Sequence, residues 1–327
     1  MTTGTTMPAD GWGRMFETMT RIRRCDERFR TLLASGQIVV TYYSPRGQEV
    51  IPAAFSIVLR PDDYVVTTYR GLHDHLAKGV ALRDLWAEFL GRGAGPGKGK
   101  GGPMHITDPR VGLMVTSGVV GGGLPIANGF GLAARLAGTD QVTVVNFGDG
   151  ATNIGAFHEA LNLASVWRLP VVFVCQNNRY AEHTAYAVGT SVARVADRAA
   201  GYSMPGVTVD GNDPLEMFSA ASEAVARARA GEGPTLIEAV TYRLEGHVVG
   251  DRMAYMPAEE REAALAADPV PAFRRWLVDQ GHFTAAQLGE VEERVEAEID
   301  DAVAYALACP PPPASELFED VYAVPIP

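Results

Sequence analysis

Two β-branched apolar runs stand out in the middle of the chain, each ending in a short polar motif. Val142, Val144 and Val145 lead through Phe147 into Gly148-Asp149-Gly150, and Val171, Val172, Phe173 and Val174 lead through Cys175 into Asn177-Asn178. Such runs suit parallel strands buried on both faces. Between them Ala156, Phe157, Ala160, Leu161, Leu163 and Ala164 recur at roughly helical spacing and stop before Pro170. This is a βαβ unit, and its right-handed crossover brings both strand ends to one edge of a sheet. Strand and helix patterns keep alternating through 206–209, 213–230 and 235–242. The alternation predicts an α/β fold built on a parallel, doubly wound sheet with helices on both faces.

Upstream, Met15, Met19, Ile22, Phe29 and Leu32 follow helical spacing over 10–35, with Gly36 as the stop. A helix over 50–59 with Pro52 in its first turn, a strand Tyr64–Thr68 and a short helix over 82–90 come next. Residues 91–102 hold seven glycines and two lysines. So flexible a stretch predicts a loop, either a plain linker or a functional one. The small-residue helix within 118–138 is suited to close packing, internally or against another subunit. After Pro257 the pattern is helical. Leu288, Val291, Val295, Ile299, Val303 and Leu307 mark one stripe of a long helix that packs on its own domain and ends before Pro310. The expected organisation is a mobile segment 1–9, an α/β domain over 10–280, and a helical, Pro-rich C-terminal appendage over 281–327.

Composition narrows the function classes. The 327 residues are 47% hydrophobic, enough for a substantial core, and carry a net charge of −11. That balance argues against a general nucleic-acid surface, which needs Lys and Arg against phosphate. Cys25, Cys175 and Cys309 are scattered, so neither a disulfide framework nor a zinc site is signalled, and packing is the expected role of the first two. With no apolar stretch of spanning length and no basic, apolar leader, a cytoplasmic protein without a membrane segment is expected.

The two strand-end motifs carry the candidate chemistry. Asp149 supplies a carboxylate and Asn178 an amide oxygen at the same sheet edge, and few hard oxygen ligands completed by phosphate oxygens are what Mg²⁺ prefers. Gly148 and Gly150 let backbone approach phosphates. Arg70 offers a planar fork that matches phosphate geometry. His247, after the last strand pattern, is the best acid/base candidate because an ordinary imidazole titrates near neutrality.

These motifs resemble the thiamine diphosphate-binding pattern that begins Gly-Asp-Gly and ends Asn-Asn. Together with Gly47-Gln48-Glu49, Tyr69-Arg70, the Gly97–Gly102 run, Met104-His105 and Gly246-His247, the chain resembles the α subunit of the E1 component of 2-oxo acid dehydrogenase complexes. That family includes pyruvate, branched-chain 2-oxo acid and acetoin dehydrogenases. The resemblance implies a thiamine diphosphate-binding fold, with Asp149, Asn178 and the Tyr180 carbonyl on Mg²⁺. It implies that the Gly150 and Ala151 amides, with Tyr69 and Arg70, face the diphosphate, and that Gly118 and Val120 contact the aminopyrimidine. His247 would stabilise the cofactor-bound intermediate and assist acyl transfer, and the Gly-rich loop would lie near the cofactor channel. The Glu that activates the cofactor comes from a separate β chain in this family, which implies an α2β2 assembly and, for acyl transfer, the lipoyl domain of an E2 partner.

Three positions depart from pyruvate-type relatives: Tyr43 and Leu72 where His is usual, with His73 and His75 next door, and Ile154 where Gln is usual. These are read as substrate-pocket positions. Ile cannot hydrogen-bond a carboxylate or hydroxyl, which favours a neutral donor such as acetoin. Segment 248–257 also departs, giving little support to a phosphorylation loop. The expected activity is oxidative cleavage of acetoin or a 2-oxo acid with acyl transfer to lipoamide. A transketolase-like two-chain ligase is the alternative enzyme. A non-catalytic scaffold homologue is disfavoured because Asp149 and Asn178 are both present.

Overall fold

The structure, a computed structural model, describes residues 6–322. Part of the expected mobile segment 1–9, residues 1–5, and the last five positions of the tail lie outside the described residues. The chain begins with α1 (Gly11–Ala34), α2 (Val50–Val58), β1 (Tyr64–Thr68), α3 (Leu72–Lys78) and α4 (Leu82–Phe89). It continues through β2 (Leu113–Ser117), α5 (Gly123–Ala137), β3 (Thr143–Gly148), α6 (Gly155–Val166) and β4 (Val171–Asn177). A small hairpin, β5 (Tyr180–Ala181) and β6 (Thr184–Ala185), precedes α7 (Tyr186–Gly189), β7 (Gly206–Asp210), α8 (Pro214–Arg229) and β8 (Thr235–Val240). Helices α9 (Ala258–Ala266), α10 (Pro269–Asp279) and α11 (Ala285–Ala308) follow.

Six strands form one parallel sheet in the order β2-β1-β3-β4-β8-β7. The apolar runs behave as buried parallel strands must. Along β3, Val144 joins the core under α1, α2, α4, α8 and α11, while Val145 and Phe147 join the core under α5 and α6. All seven residues of β4 are buried, with Val172 and Val174 on the first side and Val171, Phe173 and Cys175 on the second. Cys25 and Cys175 are packing residues in these two cores, and all three thiols are free. Among the described residues no helix is long and apolar enough to cross a membrane.

Caps follow the local sequence. Gly36 takes φ 72° just beyond α1, where a side chain would be strained. Asp213 accepts from the Leu215 and Glu216 N–H groups ahead of α8, and Thr284 with Gln287 forms a capping box on α11. The α11 stripe packs as expected: Leu288, Val295, Ile299 and Val303 enter the same core as α1 and α4, with Val291 and Leu307 at its margin.

Strand β2 and helix α3 escaped the sequence pattern, as did the β5–β6 hairpin and α7. Strand β2 pairs with β1 alone among the strands of the sheet, at its edge, so its burial is mixed and its apolar run stops after Leu113, Met114 and Val115. Helix α3 spans seven residues and buries His73, Asp74 and His75, polar residues that mask its periodicity.

The Gly-rich loop requires a correction. None of residues 91–102 lines the cavity at the strand ends. The loop instead wraps the fully buried carboxylate of Glu88, which accepts from the N–H groups of Gly97 at 2.8 Å, Gly99 at 3.0 Å, Gly101 at 2.8 Å and Gly102 at 3.3 Å. A Cβ on Gly95 would sit 2.3 Å from Glu88 Oε2, so the glycines are spaced to let backbone close around an anion. Lys98 and Lys100 reach Asp320 at 2.9 and 2.7 Å and tie the C-terminal segment to the loop.

Candidate active site

The order in which strands are added reverses between β1 and β3: the chain moves outward to β2 on one side and onward to β4 on the other. Open α/β sheets form a crevice at such a point, beyond the carboxyl ends of the strands. A cavity of about 290 Å³ lies there, lined by Thr68 of β1, Ser117 of β2, Gly148 of β3 and Gln176 of β4, and closed by Arg243 and His247 beyond β8. A second cavity, about 300 Å³, opens between α2, α3 and the sheet beside Arg60 and Lys78. It contains none of the strand-end motif residues, so the chemistry belongs to the first.

Gly148 lines the cavity, and a Cβ there would meet nothing within 4 Å, so the missing side chain keeps space open next to Asp149. Gly150 serves a different need. Its Cβ would fall 2.7 Å from that of Ala181, so only glycine lets the Asp149 turn pack under the β5–β6 hairpin. Asp149 is buried, and among the described residues its carboxylate has no side-chain donor and no ion-pair partner, while its own main-chain N–H works against the burial. Burial accordingly pushes its acid constant up to about 6.

The two asparagines divide their work. Asn177 turns into the core, where its Nδ2 donates to Glu238 Oε1 at 2.7 Å. Asn178 lines the cavity, and its Nδ2 donates to Gln48 Oε1 at 3.0 Å, which orients the amide oxygen away from Gln48. Gln48 is fully buried and itself lines the cavity. Gln176, also in the wall, is held from behind: its Oε1 lies 2.7 Å from His73 Nε2, and its Nε2 donates to Asp74 at 3.3 Å.

Positive charge comes from two buried guanidiniums without carboxylate partners. Arg70 donates to the carbonyls of Ser44 at 2.8 Å and His247 at 2.9 Å. Burial, and then Arg243, lowers its acid constant to about 10. Arg243 donates to the Tyr180 carbonyl at 3.3 Å, the Glu182 carbonyl at 2.6 Å and the Tyr255 hydroxyl at 2.7 Å. Burial, with Arg70 and Arg243 adding to it, pushes the His247 imidazole down to about 4, so it is neutral at physiological pH. Its main-chain N–H donates to Asp251 Oδ2 at 2.8 Å. Burial opposes the Asp251 charge, but the hydrogen bonds donated by the His247 N–H, the Tyr255 hydroxyl and the Met253 N–H prevail and hold its carboxyl at about 2.

These donors fit a diphosphate with a divalent cation. Among the described residues no cluster of three or more His, Cys, Asp or Glu is placed to hold a metal alone. One unpaired carboxylate, one amide oxygen and one carbonyl make an incomplete oxygen set that anionic ligand oxygens would finish. Two guanidiniums lacking counterions supply the complementary charge.

The structure brings together Tyr69, Arg70, Val120, Gly148, Asp149, Gly150, Ala151, Asn178, Tyr180 and His247 as cavity-lining residues. Gly118 is set back between two lining neighbours and faces His105. Tyr43 packs edge-on against the rings of Tyr69 and His247, behind the wall. Two substrate-pocket expectations are corrected. Leu72 is 1% exposed in the core on α3, because that helix turns it under the sheet. Ile154 packs on Gly121, whose Cβ would overlap Ile154 Cδ1, so it supports the wall without lining it. Sequence reasoning missed Gln48, Gln176, Glu182 and Arg243. Gln48 sits inside a motif quoted above and Gln176 directly before one, so their place was visible and their role was not.

The pattern of the dehydrogenase E1 component family matches residues 17–315. The α subunit of acetoin:2,6-dichlorophenolindophenol oxidoreductase from Bacillus subtilis is 43% identical over 310 residues, covering 94% of this chain and 92% of that protein. The α subunit of 2-oxoisovalerate dehydrogenase from Bacillus subtilis is 37% identical over 313 residues, covering 94% of each chain. The pyruvate dehydrogenase E1 component α subunit from Rhizobium meliloti is 34% identical over 309 residues, covering 94% of this chain and 89% of its own.

Proposed function

Because this chain belongs to the dehydrogenase E1 component family, as an oxidoreductase of the α-subunit type, we propose that it cleaves acetoin oxidatively with thiamine diphosphate and Mg²⁺. In this reading 2-oxo acids are the wider donor class, and the α chain works in an α2β2 complex with a β subunit, passing the acyl group to a lipoyl domain. Family membership implies thiamine diphosphate; the metal rests on the oxygen donors. The acetoin preference is supported by the 43% identity to a protein named for that substrate.

The observation that carries the reading is the buried Asp149 carboxylate, left without a side-chain donor or ion-pair partner among the described residues, beside the open space at Gly148 and in a cavity that Asn178 also lines. A buried carboxylate without a partner is costly unless a cation completes it. The cofactor, when bound, supplies a carbon nucleophile and a sink for the electrons released by carbon–carbon cleavage.

This chain's residues do the rest. Asp149, Asn178 and the Tyr180 carbonyl would hold the cation, and Arg70 and Arg243 would hold the diphosphate. Gln48 turns the Asn178 amide so that its oxygen, which accepts from the Tyr180 N–H at 3.4 Å, keeps its second lone pair for the metal. The neutral His247 ring lines the cavity, with Nδ1 3.5 Å from Arg70 Nη2, and would exchange a proton with an oxygen of the substrate.

The test is dye-coupled turnover of acetoin, pyruvate and 2-oxoisovalerate with thiamine diphosphate and Mg²⁺, using this chain alone and with its β partner. Activity confined to the pair, with acetoin preferred, is the expected result. Activity of the isolated chain would overturn the shared site, and ligation of an aldehyde without reduction of lipoamide or dye would favour a transketolase-like enzyme.

A further inference from the structure

At the tip of the β5–β6 hairpin, Glu182 lines the mouth of the cavity. Its backbone is in the left-handed region at φ 52°, uncommon for a residue with a side chain, and its carbonyl is fixed by Arg243 at 2.6 Å. The turn thus aims the side chain without tying it down. The residue is exposed, and among the described residues its carboxylate has no ion-pair or hydrogen-bond partner. Exposure without a partner sets it apart from Asp251 and Asp149, two other carboxylates near the cavity. Asp251 is saturated with donors, while Asp149 is buried and suited to a cation. Glu182 lines the same cavity as His247 and Tyr69, and its negative charge acts on both, opposing the burial and the two guanidiniums that push His247 down.

We propose that Glu182 sets the charge of the accepted substrate, its carboxylate at the cavity mouth repelling the carboxylate of a 2-oxo acid and admitting an uncharged hydroxyketone. This rests on reading the cavity as the donor site of an E1 enzyme. With the diphosphate neutralising Arg70 and Arg243, no other Lys or Arg among the described residues lines the cavity to attract a second anion past Glu182. The discrimination is electrostatic, so it costs a neutral donor nothing and weakens with salt.

The experiment compares the complete complex carrying wild-type chain with Glu182→Gln and Glu182→Lys. Two readouts are taken: the ratio of kcat/KM for pyruvate to that for acetoin, and the Kd of pyruvate by calorimetry on the cofactor-loaded complex. For one charge facing another across roughly 8 Å of partly screened space, Glu182→Gln should raise the ratio and tighten pyruvate binding by roughly three- to thirtyfold. Glu182→Lys should go further, and raising salt should narrow the gap between wild type and Glu182→Gln. An unmoved ratio and Kd in a complex that turns over acetoin would overturn the filter alone. Tighter pyruvate binding in a complex that turns over neither donor would keep the filter and sink the proposed activity. Equal loss of both donors in Glu182→Gln, with pyruvate binding unmoved, would overturn the filter and reassign Glu182 to activating the cofactor.

Discussion

Arg70 Nη2 donates to the main-chain oxygen of His247 at 2.9 Å, joining the turn after β1 to the imidazole-bearing segment after β8. One guanidinium thereby does two things: it places the imidazole, and it depresses the imidazole's proton affinity, second only to burial. Replacing Arg70 with Met removes both effects. The His247 acid constant should rise from about 4 toward the ordinary histidine value without reaching it, since burial persists. Thiamine diphosphate should bind about ten- to a hundredfold more weakly, the worth of a charge-assisted hydrogen bond of roughly 1.5–3 kcal/mol. Imidazole NMR across pH, paired with a fluorescence titration of cofactor, reads both; an unshifted His247 would show that Arg70 does not govern it.

Asp149 trades stability for binding. Its carboxyl constant is raised to about 6 in the fold, so the cofactor-free chain loses stability as pH climbs from the usual carboxylate range through 6, and the penalty is complete above that. Asp149→Asn should therefore stabilise the cofactor-free protein at pH 7.5, by up to about 3 kcal/mol, and remove the thermal shift that Mg²⁺ with thiamine diphosphate gives the wild type. Differential scanning calorimetry with and without the ligands decides it. A variant less stable than wild type would mean that the buried carboxylate is satisfied by something other than a cation.

What the sequence disclosed and what it withheld follow from the range of the interactions. Val142–Phe147 and Val171–Cys175 announce buried strands because each contiguous run is needed for two cores at once, and the motifs at their ends inherit a position from topology. The separate fates of Asn177 and Asn178 were hidden, since they depend on Glu238 and Gln48, 61 and 130 residues away. Ile154 looked like a substrate contact because its type departs from relatives, but the direction of its side chain is set by the space at Gly121. Glycines 91–102 read as freedom, while their function is to expose N–H groups to a single carboxylate on α4.

That carboxylate makes a sharp test. Glu88→Ala leaves the part-buried amides of Gly97, Gly99, Gly101 and Gly102 without their acceptor and should cost about 1–3 kcal/mol, the usual loss when groups shielded from water lose a hydrogen-bond partner. Amide exchange at Gly97–Gly102 should accelerate more than exchange in β3 or β4. Uniform acceleration would mean that the loop and sheet unfold together and that Glu88 supports both.

For Ile154→Gln the structure predicts a stability defect and little change in substrate choice. The side chain is partly buried against Gly121 and the apolar core beneath α6, so an amide there should cost about 1–2 kcal/mol. Urea unfolding and the pyruvate-to-acetoin ratio of the assembled enzyme should be measured together. A ratio shifted more than about tenfold at unchanged stability would place this side chain in contact with substrate after all.

His75 makes the fold sensitive to acid. It is fully buried on α3, its Nε2 lies 2.9 Å from Thr116 Oγ1, and its Nδ1 has no partner. Burial first, and then neighbouring His73, pushes its acid constant down to about 3. The unfolded chain takes up that proton near pH 6.5, so below this the unfolded state binds a proton that the folded state refuses. Stability fully present above pH 6.5 is then lost at about 1.4 kcal/mol per unit as pH falls toward 3, close to 2 kcal/mol by pH 5. His75→Gln keeps a polar group near Thr116 without the titration. Between pH 7.5 and 5 the wild type should lose about 2 kcal/mol more than this variant in urea unfolding, because the other six histidines are common to both and cancel. Parallel pH profiles would show that His75 is protonated in the folded chain and that its burial is relieved by local opening of α3.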